Sequence, residues 1–160
     1  MRRFLFLSCL WLAAACGSSE ESSAEHDFTW AHFDGHECAA CGMIVREQPA
    51  PRGQIIYTDG ERMYFCSVAD MITFMQAPSP HGSPQAIFVE VNDPQAGAPL
   101  AEDPAPGEWA AASSLHYVVD IERPHVMGRP VLAYETEAGA ERVALQVQGH
   151  VIAWPELSGQ

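Results

Sequence analysis

Lysine is absent from this chain of 160 residues, and all eight basic residues are arginine, set against 21 aspartates and glutamates for a formal net charge of −13. So few cations cannot form the basic face that neutralises phosphates, which excludes a nucleic-acid function. Long apolar runs are also lacking: past residue 15 nothing approaches the ~20 apolar residues that a spanning helix needs. A disordered polymer is excluded in turn, because 48% hydrophobic residues and a mean hydropathy of −0.07 suit one compact domain or two very small ones. Acidity of this size keeps a chain soluble and attracts cations weakly, and it says little more about function.

The amino end reads as an address. Arg2 and Arg3 precede an apolar stretch, Phe4 to Leu12, that is too short to cross a bilayer, and Ala13-Ala14-Ala15-Cys16 supplies small residues for cleavage. A cysteine directly after that site looks like a bacterial lipobox, in which Cys16 becomes the acylated first residue, although alanine replaces the usual leucine three places before it. The expected protein is therefore anchored to a bacterial membrane on the periplasmic side, the outer membrane in preference, through lipid and not through a span. Loss of residues 1–15 takes two arginines and no acids from the total of −13, which leaves about −15. Residues 16–35 form a polar, flexible tether.

From residue 36 onward the pattern turns globular. Gln54 to Thr58 and Glu61 to Phe65 flank Asp59-Gly60 as a hairpin, since Asp-Gly between β-rich runs is a strong turn signal. Ser67 caps a helix in which Asp70 completes a Ser-x-x-Asp box and Val68, Met71, Ile72 and Met75 share one face. Ala86 to Val91 adds a strand, which makes residues 36–92 a ββαβ unit. Residues 93–108, rich in proline, alanine and acids, read as an exposed connector. Leu115 to Val119, Val131 to Tyr134, a helix carrying Ala140, Val143, Ala144 and Val147, and an extended Val151 to Trp154 repeat the order within residues 109–160. The expected class is α+β, two small ββαβ units packed together, because neither alone buries much.

Cysteine is where scarcity becomes informative. Of five cysteines, Cys9 leaves with the signal and Cys16 takes lipid, so Cys38, Cys41 and Cys66 remain and cannot all pair internally. Cys38-Ala39-Ala40-Cys41-Gly42-Met43 holds two thiols and a thioether within six residues. If Met43 to Arg46 is extended, Cys41 and Met43 point to the same side, and thiolate with thioether favours a soft monovalent ion such as Cu(I). Other readings stay open: a disulfide between Cys38 and Cys41, structural or redox-active, or a zinc site from the three cysteines and a histidine. Met71 and Met75 read as core and Met63 as packing beside Phe65. Met127, between Pro124 and Pro130, has no periodic apolar partners, and Cys66 reads as a buried thiol. Histidines at 26, 32, 36 and 125 are surface residues or auxiliary ligands.

Cys16, Cys38-x-x-Cys41-Gly42-Met43-Ile44, Asp59-Gly60, Phe65-Cys66-Ser67 with Asp70, Tyr117-Val118-Val119 and Met127-Gly128, in this order, resemble the NosL family of copper-binding lipoproteins over roughly residues 36 to 154. The resemblance implies a Cu(I)-binding accessory protein, not an enzyme, that helps supply copper to nitrous oxide reductase with a membrane ABC-type transporter complex. It implies a fold of two ββαβ units related to the organomercurial lyase. It also implies Cys41 and Met43 as ligands, with Met127 closing the site from the second unit, and leaves Cys38 as a spare ligand, a redox partner of Cys41, or neither. His125-Val126 before Met127 departs from the small residues often found there. The main rival is an extracytoplasmic thiol-disulfide protein that uses Cys38 and Cys41. A second is a lyase-like enzyme that uses Cys41, Cys66 and a nearby carboxylate.

Overall fold

Strands one after another along this chain fold back on themselves, and each half does so the same way. The computed structural model describes residues 26–49, 51–92, 107–122 and 128–159. In the first half, β1 (Gly53–Tyr57) lies between β2 (Arg62–Phe65) and β3 (Pro84–Glu90), with helix α1 (Val68–Met75) between β2 and β3 in sequence. In the second half, β5 (His116–Val119) lies between β6 (Leu132–Tyr134) and β7 (His150–Ala153), with α2 (Glu137–Val147) between β6 and β7. All these pairs are antiparallel. The repeated ββαβ order expected from periodicity is the observed one, in an α+β fold.

Trp109–Ala111 (β4), placed by the sequence reading at the head of the second unit, instead pairs with β3 and completes a four-stranded first sheet. A short helix α3 (Trp154–Ser158) follows β7 directly where an extended Trp154 was expected; Pro155 in its first turn lacks an N–H that would be orphaned there anyway. The first hairpin is wider than a two-residue Asp-Gly turn. Tyr57 N–H reaches Glu61 O at 2.9 Å, so Thr58-Asp59-Gly60 is the loop, and Gly60 takes φ +84° as the left-handed residue that ends such three-residue turns.

β1 is buried along its whole length because it is central and covered on both faces. Against one face lies α1, with Met71 packed on Gly53. Over the other run residues 26–35, which corrects the flexible tether expected there: Phe33 is buried in the main core, and the Gln54 side chain trades hydrogen bonds with Ala31 N–H (3.0 Å) and C=O (2.7 Å). The second sheet divides its residues by alternation. Tyr117, Val119 and Ala133 join the large core shared with the first unit, while Val118, Leu132 and Tyr134 pack with Ala140, Val143 and Ala144 of α2. The two units are thus halves of one core. Asn92 ties them at the edge, donating its N–H to Ala133 O (2.8 Å) and accepting Ala133 N–H on its side chain (2.9 Å). Among the described residues no helix is long and apolar enough to cross a membrane.

Candidate metal centre

Two local motifs meet at the end of β2. The first is a tight turn. Gly42 N–H bonds Cys38 O at 2.8 Å and Cys38 N–H bonds Met43 O at 2.7 Å, which closes residues 38 to 43 into a loop. Gly42 takes φ +75°, a conformation that costs any residue with a Cβ, so the glycine is what lets the loop close. This corrects the extended strand expected over Met43 to Arg46: Ile44 makes only a single bridge to Glu37, and Val45–Glu47 is a 3-10 turn. A backbone that folds back after Cys41 satisfies its own hydrogen bonds locally and has none left for a ladder.

The second motif is the helix start. Ser67 is the N-cap of α1 and its Oγ accepts Asp70 N–H at 3.0 Å, as the Ser-x-x-Asp spacing predicts. That cap fixes Cys66 immediately before the helix and Asp70 in its first turn. The loop is pinned to β2 by Ala39 N–H on Tyr64 O (2.9 Å) and by the His36 ring stacked 4.3 Å from that of Tyr64.

The result is a cluster. The sulfurs of Cys38, Cys41 and Cys66 and a carboxylate oxygen of Asp70 all lie within 4.8 Å of one another. Cys41 Sγ is 3.5 Å from Cys66 Sγ, and the Cys66 thiol points a donor at Asp70 Oδ2, 3.4 Å away. Cys38 and Cys66 are each 3% exposed, while Cys41 faces solvent, so the cluster is closed behind and open in front. Its electrostatics are uneven. Burial opposes ionisation of Cys38, but backbone N–H groups of Cys66, Ala40 and Cys41 directed at its sulfur prevail and hold this thiol below the ordinary range. Cys66 has no such donors: burial first, then the neighbouring Cys38 and Cys41, push its thiol well up. A bound cation would reverse that balance, since metal ligation takes the thiolate form.

Beside the cluster opens a cleft of about 540 Å³ between α1 and the second sheet, lined by Asp70 and, across from it, Gly128, Asp120 and His150. Gly128 lies against Ala69 and Asp70, with room for a Cβ 3.5 Å from the Ala69 methyl and 3.7 Å from Asp70 Oδ1.

A NosL family model matches residues 31–160, nearly the whole globular part. This chain belongs to the NosL family. The copper-binding lipoprotein NosL of Stutzerimonas stutzeri is 29% identical to this NosL-family chain over 142 residues, which cover 89% of it and 72% of the relative. The crystallised copper chaperone NosL of Shewanella denitrificans shares the fold, with a TM-score of 0.67 and 23% identity over 81% of this chain and 96% of that one.

Of the ligands expected for a NosL protein, the structure brings Cys38 and Cys41 together. Met43 follows on the same loop, half-buried and packed against the main core. Met127, His125 and Cys16 lie outside the described residues. Cys66 is the buried free thiol that its sequence context suggests, but it stands in the cluster, as does Asp70, which sequence reasoning gave no ligand role in copper binding. The signal was present: a cysteine next to a capping box is fixed at a helix start, and an odd thiol outside the cytoplasm asks for partners.

Proposed function

We propose that this NosL-family protein is an extracytoplasmic carrier of Cu(I), anchored to a bacterial membrane by lipid on Cys16, that hands copper on for the maturation of nitrous oxide reductase, directly or through an ABC-type transporter complex. The observation that carries the reading is the meeting of three thiols at one point of which only Cys41 is exposed. Several soft sulfurs within 4.8 Å suit a thiophilic d¹⁰ ion, and an open front suits exchange of that ion with the ligands of an acceptor. Copper binding by the Stutzerimonas stutzeri relative supports the choice of metal. Cys41 and Cys66 are the principal thiolates in this reading, Cys38 the buried third, and Met43 and Met127 the thioethers that complete or exchange the shell; the approach of Gly128, which follows Met127 in sequence, to Asp70 supports it.

One observation favours a second reading. Asp70 gives the cluster a fourth, hard donor, and three thiolates with a carboxylate also make a tetrahedral zinc set. Titration of the reduced, anaerobic mature chain decides between them. The copper reading expects one Cu(I) per chain held against a strong chelator and retained in excess Zn(II). It also expects at least about tenfold weaker binding, roughly 1.4 kcal/mol, in Cys41→Ser and in Met43→Ala. Displacement of copper by equimolar zinc, or unchanged affinity in both variants, would overturn it.

A further inference from the structure

The Cys-x-x-Cys spacing suggests Cys38 and Cys41 as the natural disulfide pair, yet the geometry points to a different one. We infer that oxidation of the metal-free protein joins Cys41 to Cys66, leaving Cys38 as the single thiol, and that this bond closes the metal centre; the last clause rests on the copper reading above, the first does not.

Three observations carry the pairing. Cys41 Sγ and Cys66 Sγ are already 3.5 Å apart, so closing to the ~2.05 Å of a disulfide asks for a movement of about 1.5 Å. Cys41 is the exposed thiol of the three, and so the one an external oxidant reaches first, while Cys38 and Cys66 are buried. The Cys38 sulfur touches the Cys41 side chain too, but it accepts the Cys66 N–H at 3.4 Å and further N–H groups of its own turn, contacts that a bond to Cys41 would disturb. A Cys41–Cys66 bond leaves them in place. It also ties the exposed loop to the start of α1, beside the end of β2 to which Ala39 N–H on Tyr64 O already pins that loop.

The oxidant is a low-molecular-weight disulfide of the glutathione class, as found outside a reducing cytoplasm. The Cys41 thiolate attacks one of its sulfurs, the oxidant's S–S bond breaks, and one small thiolate leaves, so that Cys41 carries a mixed disulfide. The Cys66 sulfur then attacks Cys41 Sγ, displaces the second small thiol, and its proton ends on that leaving group. Two protein thiols are oxidised by two electrons and one external disulfide is reduced to two thiols. The product has lost two of its three thiolate donors, so metal leaves or cannot enter until the bond is reduced.

The test uses the full mature chain without substitution. Metal-free protein is oxidised with excess glutathione disulfide, the remaining thiols are alkylated, and peptides are mapped by mass spectrometry. The expected result is a Cys41–Cys66 crosslink with Cys38 alkylated in most molecules, and the same crosslink in Cys38→Ser. A dominant Cys38–Cys41 or Cys38–Cys66 crosslink, or three alkylated cysteines, would overturn the pairing whatever the metal turns out to be. In a second arm, prior loading with one Cu(I) should slow the crosslink at least tenfold. Equal rates, with the crosslink intact, would leave the pairing standing and overturn its link to metal.

Discussion

Replacing Gly53 by alanine tests how tightly the frame under the metal centre is packed. A Gly-to-Ala change in a strand ordinarily stabilises by about 0.4–1 kcal/mol through the unfolded chain, with ~0.8 kcal/mol more from burying one methyl group. At Gly53 that methyl would run into Met71 Sδ and stand 3.0 Å from its Cε. Met71 is fully buried between α1 and β1, so its sulfur must retreat by about 1 Å or the helix must lift. Overpacking of this kind costs about 1–3 kcal/mol, and a clash this close belongs at the upper end, so the net expectation is a loss of about 1–2 kcal/mol. With a urea slope near 2 kcal/mol/M this lowers the unfolding midpoint by about 0.5–1 M. Fluorescence of the buried Trp109 and Trp154 reports the transition. Met71→Ala alone should cost about 2–5 kcal/mol, and the double variant less than the sum, because the new methyl occupies part of the vacated space. An unchanged or raised midpoint for Gly53→Ala, or strict additivity, would refute the packing argument. The site is linked to this contact, since Gly53 pairs with Phe65, the residue before Cys66.

Further predictions concern the centre itself. Ser67→Ala removes the oxygen that accepts Asp70 N–H and should lower stability by about 1 kcal/mol in the same urea assay, since the cap is the ordinary Ser-x-x-Asp kind. Copper affinity should rise with pH: Cys66 keeps its proton in the metal-free protein because burial and its two thiol neighbours push it up, so binding displaces at least that proton. Competition titrations between pH 6 and 8 should show apparent affinity gaining up to about tenfold per unit for each proton displaced, whereas a flat profile would mean that Cys66 is not a ligand.

The sequence shows some layers of this protein more readily than others. Helix α1 is visible because its cap, its acidic N3 residue and its four-membered apolar face agree with one another. Its observed span, Val68–Met75, starts just after the expected cap. The duplicated ββαβ order is visible for the same reason, as periodicity reports which face is buried. The pairing of Trp109–Ala111 with β3 is not, because a strand of three residues carries too little pattern to reveal its partner. Periodicity also misleads at the metal centre. Cys41 and Met43 look like neighbours on one face only if the chain is extended, and a positive φ at Gly42 turns it instead. Cys66 joins Cys41 across 25 residues through the meeting of a loop with a helix start, a tertiary fact that local spacing does not encode.

The most direct measurement is copper K-edge absorption spectroscopy on the anaerobic protein loaded with one Cu(I), compared between the wild type and Cys66→Ser. A carrier built on Cys41 and Cys66 should show a first shell of two or three sulfurs and no nitrogen or oxygen, with one sulfur fewer or replaced by a light atom in Cys66→Ser. A shell dominated by nitrogen or oxygen in the wild type, or a sulfur count that the loss of Cys66 leaves untouched, would contradict the account.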